Sequence, residues 1–109
     1  MKKIDNYING KKISFSKITS SIYDPSKGEI ISEVTISDDK DFEYLIESAN
    51  SAKESWANTT PLKRSRILSK YKNLIEQNHE ELAKLISIEH GKTLDDAKGS
   101  VTRGLEVVE

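Results

Sequence analysis

The sequence predicts a mixed fold in which two β-hairpins over residues 1–36 precede three to four α-helices over residues 37–109. Two observations support this prediction. An Asn-Gly pair separates two short extended runs near the start of the chain. After Ile36 the spacing of apolar residues changes from two to three or four, which is the period of a helix. The chain is therefore expected to combine strands and helices, with the strands first.

The first hairpin is predicted over residues 7–13, around the pair Asn9-Gly10. A type I′ turn requires positive φ at both central residues, and Asn-Gly tolerates this conformation best. The second hairpin is predicted around the Asp24-Pro25 turn, with an extended run over residues 29–36. In that run Ile30, Val34 and Ile36 are expected on one face, with a polar exception at position 32, and residues 17–21 are expected to be a polar connection.

Two helical stripes follow the hairpins. Ser37 or Asp38 can cap the first helix, and its apolar residues recur every three or four positions. They are Phe42, Leu45, Ile46, Ala49, Ala52 and Trp56. The second helix is predicted to begin at Pro61, because proline suits the first helical position. Its stripe consists of Ile67, Leu68, Tyr71, Leu74 and Ile75.

A capping signal at Asn78 predicts that this second helical region bends or restarts near His79 and continues to Gly91. The last helix is predicted to begin after Thr93, which forms a capping-box pattern with Asp96. One face of this helix is apolar, and it comprises Ala97, Val101, Leu105 and Val108. The apolar face continues to the last residues of the chain. We therefore expect these 109 residues to be the front of a longer polypeptide, and we expect this face to lack the surface that would cover it.

Composition excludes several classes of protein. Lysine plus arginine number 17 and aspartate plus glutamate 18, so the formal net charge is −1, which argues against binding to nucleic acid. The absence of cysteine excludes disulfides and a cysteine nucleophile within these residues. No apolar run approaches the roughly 20 residues that a membrane span needs, and no targeting leader is visible. These features predict at most one domain and a cytoplasmic protein.

Three suggestive motifs have ordinary explanations. Gly91-Lys92-Thr93 resembles the end of a phosphate-binding P-loop, but Ile86 stands where the motif needs glycine and no strand precedes it. His79 and His90 are not spaced as zinc ligands and are expected at the surface or at helix ends. The acidic run at residues 37–41 suits the positive end of the dipole at a helix N-terminus, so no metal is needed to explain it. No catalytic residue and no metal ligand is therefore predicted.

Arg103 is the candidate binding residue. It lies between Gly99 and Gly104, and glycine inside a helix costs up to about 1 kcal/mol relative to alanine. Such glycines are typical of sites where a backbone or a ligand comes close. Arg103 therefore either contacts an anion or is a solvated arginine paired with Glu106 or Glu109.

The chain also resembles the N-terminal region of NAD-dependent aldehyde dehydrogenases. The matching residues are spread over nearly the whole chain. They are residues 6–10, Asp24-Pro25, Gly28, Ala52, Trp56, residues 66–68, residues 81–83, Glu89, Gly91-Lys92, Ala97 and Val101. The end is more specific, since residues 91–94, Asp96-Ala97, Gly99 and residues 103–109 resemble CoA-acylating methylmalonate-semialdehyde dehydrogenases.

The resemblance implies an α/β fold in which these hairpins and helices pack on a later doubly wound NAD domain. It also implies the cofactors NAD and coenzyme A, a small aldehyde substrate and a homo-oligomer. In the family a cysteine attacks the aldehyde, and hydride then passes to NAD. The resemblance places the cysteine and the NAD site downstream of Glu109. In the subfamily the arginine matching Arg103 is associated with the substrate carboxylate. Ser100 departs from the glutamate that many relatives carry.

Two alternatives stay open at this stage. One is a non-acylating aldehyde dehydrogenase that shares this front part. The other is a small non-catalytic α+β module that binds a partner through its last apolar helix. Enzymes of the resembling subfamily serve valine, thymine and inositol breakdown, and the sequence does not choose among these pathways.

Overall fold

The computed structural model describes all residues from 1 to 109. They form two structural units, which are described separately. The first unit consists of residues 1–23 and 28–58, and the second of residues 24–27 and 59–109. The chain has five strands: β1 Lys2–Ile4, β2 Tyr7–Ile8, β3 Lys11–Lys12, β4 Thr19–Asp24 and β5 Glu29–Thr35. It has four helices: α1 Asp39–Ala57, α2 Pro61–Gln77, α3 His79–His90 and α4 Leu94–Val108.

The first predicted hairpin is confirmed. Strands β2 and β3 pair antiparallel, with Tyr7 opposite Lys12. Asn9 and Gly10 connect them with φ angles of 53° and 71°, which are the positive values that a type I′ turn requires.

A three-stranded sheet has the order β1-β5-β4, so the second hairpin, β4 with β5, is also present. The expected connection over residues 17–21 is wrong from Thr19 onward, because β4 begins there and the Thr19 hydroxyl donates to the Glu33 carboxylate. Strand β1 was not predicted. It pairs parallel to β5, with Lys2 opposite Ser32 and Ile4 opposite Val34.

The predicted apolar face of β5 is only partly correct. Ile30 and Ile36 are 44% and 46% exposed, whereas the buried residues of the strand are Ser32 and Thr35. Strand β5 is the central strand of the sheet, and its two buried side chains, Ser32 and Thr35, are small and polar and lie on opposite faces. The Thr35 hydroxyl satisfies its hydrogen-bonding need by donating to Asp5.

Helix α1 begins as predicted, with Asp38 as its N-cap in a reciprocal capping box with Asp41. Its apolar stripe is mostly uncovered: Phe42 is 60% exposed, and Leu45, Ile46 and Trp56 are also exposed. The one buried residue of this helix is Asp41, at 3% exposure. The predicted stripe is therefore not the covered side of α1 in this chain; that side carries Asp41 and the half-buried Tyr44 and Ser48.

The restart between α2 and α3 is confirmed, although not by the expected cap. Thr60 caps α2 and Pro61 is its first residue. Asn78 separates α2 from α3, but its side chain does not cap the start of α3 and donates instead to the Leu74 carbonyl in the last turn of α2, at 2.7 Å. The Thr93 hydroxyl accepts from the Asp96 N–H group at 3.2 Å and so caps α4.

The core of the second unit lies between α3 and α4. Ala83 and Ala97 are completely buried there with Val101, and partly buried residues pack around them. These residues are Ile75, Leu82, Ile86 and Leu94. The expectation that the apolar face of α4 lacks a partner is therefore wrong. Small alanine side chains on both helices let α3 approach this face, and Leu105 is buried as well.

None of the four helices combines the length and the apolar character that crossing a membrane requires.

Candidate functional site

The loop that precedes α4 is held in a defined conformation. Gly91 ends α3 in the left-handed region with φ of 78°, and its N–H group donates to the Ser87 carbonyl. A Cβ atom at position 91 would lie 2.9 Å from the Pro25 Cγ atom, so only glycine fits. The Ser87 hydroxyl donates to the Lys92 carbonyl at 2.7 Å. The backbone of Lys92 is thereby fixed before the helix begins.

Ser100 connects this loop to Arg103. The Lys92 Nζ atom donates to the Ser100 Oγ atom at 3.1 Å, and the Arg103 Nη2 atom donates to the same oxygen at 3.2 Å. The Ser100 hydroxyl donates its own hydrogen to the Asp96 carbonyl at 3.4 Å. A hydroxyl has one donor and two acceptor positions, so the geometry uses its full capacity. Two cationic groups therefore meet at one neutral oxygen.

No carboxylate neutralises these two cations. Neither Lys92 nor Arg103 forms a salt bridge, and the interpretation of Arg103 as a partner of Glu106 or Glu109 is wrong in this structure. The Glu109 carboxylate pairs instead with Lys72 at 3.6 Å. The exposed guanidinium of Arg103 keeps most of its five donors available for an anion.

The two glycines that flank Arg103 have different surroundings. A Cβ atom at Gly99 would lie 3.5 Å from the Arg103 Nη1 atom, so the guanidinium rests beside this glycine one turn back along α4. Around Gly104 nothing in this chain lies within 4 Å of the equivalent position. The close approach of a backbone that such glycines suggest is therefore found at neither position, and the contact at Gly99 is an ordinary one with the side chain of Arg103.

The other sequence candidates lie apart from this cluster. Gly91-Lys92-Thr93 joins helix to helix, which is not the strand-to-helix setting of a P-loop. The Nε2 atom of His79 contacts the Thr102 hydroxyl at 3.2 Å, and His90 is exposed at the last position of α3. The histidines thus occupy helix ends, as expected.

Asp41 is a buried carboxylate that the sequence reasoning did not single out. Backbone N–H groups of Phe15, Ser16 and Asp38 donate to its two oxygens. These bonds, that from Phe15 first, lower the pKa of Asp41 below its ordinary value. All of its partners are backbone groups of the fold, so its role is structural. In the sequence, the only sign of Asp41 is the Asp-x-x-Asp pattern after β5. That pattern indicates the helix cap but not the bonds from Asp41 to Phe15 and Ser16.

The residues present do not fit a dinucleotide cofactor. Such a cofactor binds where a glycine-rich turn leads from a strand into a helix. The one direct strand-to-helix junction lies between β5 and α1, and it contains no glycine. There the Asp38 carboxylate already accepts a hydrogen bond from an N–H group of the helix N-terminus and would repel a phosphate. The glycines with positive φ, Gly10, Gly28 and Gly91, lie in turns and at a helix end.

Comparison with known proteins identifies the class. The model of the aldehyde dehydrogenase family matches residues 13–109. The chain therefore belongs to the aldehyde dehydrogenase family. It is similar to a malonate-semialdehyde dehydrogenase of Pseudomonas aeruginosa, with 41% identity over 100% of this chain. It is also similar to malonate-semialdehyde dehydrogenase 2 of Bacillus cereus, with 46% identity over 97% of this chain.

The fold agrees with that of a solved relative. A Sinorhizobium meliloti protein, assigned as a methylmalonate-semialdehyde dehydrogenase and crystallised with NAD, superposes with a TM-score of 0.97 over 99% of this chain at 41% identity. The chain spans 22% of the length of that protein and 22% of the length of the two curated relatives. The four helices and small sheets are thus the N-terminal part of the aldehyde dehydrogenase fold.

Proposed function

We propose that this chain is the N-terminal part of an NAD-dependent, CoA-acylating semialdehyde dehydrogenase. The proposed substrates are methylmalonate semialdehyde or malonate semialdehyde, and the products are propionyl-CoA or acetyl-CoA. The observation that carries the proposal is identity of 41% and 46% to malonate-semialdehyde dehydrogenases, spread over 100% and 97% of this chain. Scattered identity to the wider family would support only aldehyde oxidation.

The geometry around Arg103 supports a substrate with a carboxylate. Both proposed substrates carry a carboxylate in addition to the aldehyde. A guanidinium can bind a carboxylate through two parallel hydrogen bonds. Arg103 is exposed, has no acidic partner and is held by Ser100 through one of its nitrogens. We infer that Arg103 binds this carboxylate and so contributes to the choice of substrate.

The cofactors would be held by other parts of the enzyme. The Sinorhizobium meliloti relative was crystallised with NAD, which supports NAD as the hydride acceptor here. The proposed overall reaction converts methylmalonate semialdehyde, coenzyme A and NAD to propionyl-CoA, NADH and carbon dioxide or bicarbonate. The 109 residues contain no cysteine, so the nucleophile of the family would also lie elsewhere in the full-length protein. We further propose a cytoplasmic homo-oligomer.

The test is an assay of the full-length protein that carries this chain. Methylmalonate semialdehyde is supplied with NAD, with and without coenzyme A, and NADH and acyl-CoA are measured separately. The proposal expects NADH formation and an equal amount of propionyl-CoA when coenzyme A is present. A free dicarboxylic acid as the product, with no acyl-CoA, would instead support a non-acylating aldehyde dehydrogenase. Failure to reduce NAD with either semialdehyde would overturn the proposed function.

A further inference from the structure

Lys92 is held at both ends, unlike an ordinary surface lysine. The Ser87 hydroxyl binds its carbonyl at 2.7 Å, and the preceding Gly91 adopts a left-handed conformation next to Pro25. At the other end its Nζ atom donates to the Ser100 hydroxyl at 3.1 Å. The first contacts fix the backbone, and the bond from Nζ to Ser100 restricts the many rotamers that a lysine side chain has in solution. The ammonium group is therefore preorganised.

This ammonium group shares its acceptor with the guanidinium of Arg103. Both cations donate to the Ser100 oxygen, and neither has an acidic partner. Two like charges that share one acceptor repel each other, and the neutral hydroxyl does not cancel them. Each cation retains further N–H donors, two on Lys92 and four on Arg103 if each uses one on Ser100. An anion placed beside both would relieve the repulsion.

We propose that Lys92 is a further cation of the carboxylate site beside Arg103 and that Ser100 is a positioning residue that orients both cations. The inference rests on the proposed function, because it takes Arg103 as the residue that binds the substrate carboxylate. Lys92 adds positive charge beside that carboxylate. Ser100 fixes the positions of the two cations but leaves their charges in place. A carboxylate at this position would neutralise part of that charge.

The experiment compares variants of the full-length protein that carries this chain. Lys92→Met removes the charge and keeps the length of the side chain. Lys92→Arg keeps the charge and donors. Lys98→Met is the matched control, because Lys98 lies on α4 close to the site in sequence and forms no salt bridge or side-chain hydrogen bond to the cluster. The substrates are methylmalonate semialdehyde and propanal, which lacks a carboxylate.

The proposal expects Lys92→Met to raise KM for methylmalonate semialdehyde by about 3- to 10-fold, the effect of one charge acting across a partly solvated gap. The kcat for that substrate and both constants for propanal should remain within about twofold of wild type, because a lost ground-state contact changes mainly KM. Lys92→Arg should restore KM. Added salt should raise KM of the wild type more than that of Lys92→Met, because salt screens the missing interaction.

Ser100→Ala tests the positioning role. It should raise KM for the carboxylated substrate. In the double variant with Lys92→Met, the increase in KM should be smaller than the product of the two single increases, because both changes disturb one cluster. Full additivity of the two substitutions would show that Ser100 does not act on Lys92, which overturns that part of the proposal.

The outcomes separate this inference from the proposed function. If Arg103→Leu discriminates against the carboxylated substrate but Lys92→Met behaves like Lys98→Met, the role of Lys92 is overturned while the proposed function stands. If Arg103→Leu does not discriminate, the carboxylate site is misassigned and the inference about Lys92 fails with it, whereas the proposed reaction is decided separately by the NADH and acyl-CoA assay. If Lys92→Met weakens both substrates equally and lowers the unfolding temperature, Lys92 only stabilises the loop, and the inference is wrong.

Discussion

The carboxylate of Asp41 accepts the backbone N–H group of Phe15 at 2.7 Å and thereby ties the segment before β4 to the first turn of α1. Its other oxygen accepts from Ser16 at 3.2 Å and from Asp38 at 3.0 Å. The Phe15 ring then packs edge-on against Tyr44, with 5.5 Å between ring centres. One acidic side chain thus satisfies three backbone donors that would otherwise need other partners.

Replacing Asp41 by asparagine should destabilise the full-length protein. An amide has a single acceptor oxygen, so it cannot serve all three N–H groups, and a buried donor without a partner is costly. Asp39→Asn is the control, because Asp39 is an exposed acid in the same helical turn. Thermal unfolding followed by circular dichroism should show a lower Tm for Asp41→Asn than for Asp39→Asn. Equal Tm values would show that the Asp41 carboxylate is dispensable.

The same carboxylate should give a defined dependence of stability on pH. The pKa of Asp41 is lowered in the folded chain from its ordinary value of 3.8. Its contribution is therefore fully present above the ordinary value and is lost as pH falls through the lowered pKa. The difference in Tm between wild type and Asp41→Asn should be constant near neutrality and should shrink as the pH falls below about 4. A difference that grows on acidification would contradict this sign.

Gly91→Ala should be more destabilising than Gly28→Ala in the full-length protein. Both glycines have positive φ, and a non-glycine residue in this region costs about 1–2 kcal/mol. Only at Gly91 would the new methyl group also meet Pro25, at 2.9 Å, whereas nothing lies within 4 Å at Gly28. Chemical denaturation of the two variants measures the difference. A larger loss for Gly28→Ala would show that the contact with Pro25 is unimportant.

Arg103→Leu should act on one class of substrate. A charge-assisted hydrogen bond to the substrate carboxylate contributes about 1.5–3 kcal/mol. Its loss should lower kcat/KM for methylmalonate semialdehyde by roughly 10- to 100-fold. Propanal should be affected far less, since it has no carboxylate, whereas damage to α4 would slow both aldehydes together. Steady-state kinetics on the two aldehydes decide between these results. Equal losses of kcat/KM on both would show that Arg103 is an ordinary surface arginine.

The 109-residue chain on its own should be poorly stable. No large side chain is completely buried, and apolar residues along α1 and α2, such as Phe42 and Tyr71, remain exposed. A core this small contributes little free energy against the conformational entropy lost on folding. Circular dichroism at low protein concentration should show a broad transition at low temperature. A sharp transition at high temperature in a monomer would contradict the prediction.

Features that depend on a few neighbouring residues could be predicted from the sequence. Asn9-Gly10 determined the first turn, Pro61 the start of α2 and Gly91 the end of α3. Features that join distant residues could not. The pairing of β1 with β5 and the bonds from Asp41 to Phe15 connect positions more than twenty residues apart, and no local pattern encodes them.

The candidate site was predicted in part. The glycines beside Arg103 drew attention to that residue, because glycine inside a helix has an energetic cost. Ser100 and Lys92 carried no such signal, since their contact depends on how the loop after Gly91 directs the lysine back along α4. Periodicity predicted the apolar face of α4 but not that α3 packs against it. This packing depends on the small side chains of Ala83 and Ala97.

The parallel pairing of β1 with β5 affects the order in which the chain can fold. Residues 2–4 find their partners at positions 32–34, so a loop of nearly thirty residues must close before the sheet is complete. The contacts of α3 with α4 and of β2 with β3 join residues much closer along the chain. Because local contacts form faster than distant ones, β1 is expected to pair with β5 later than β2 pairs with β3.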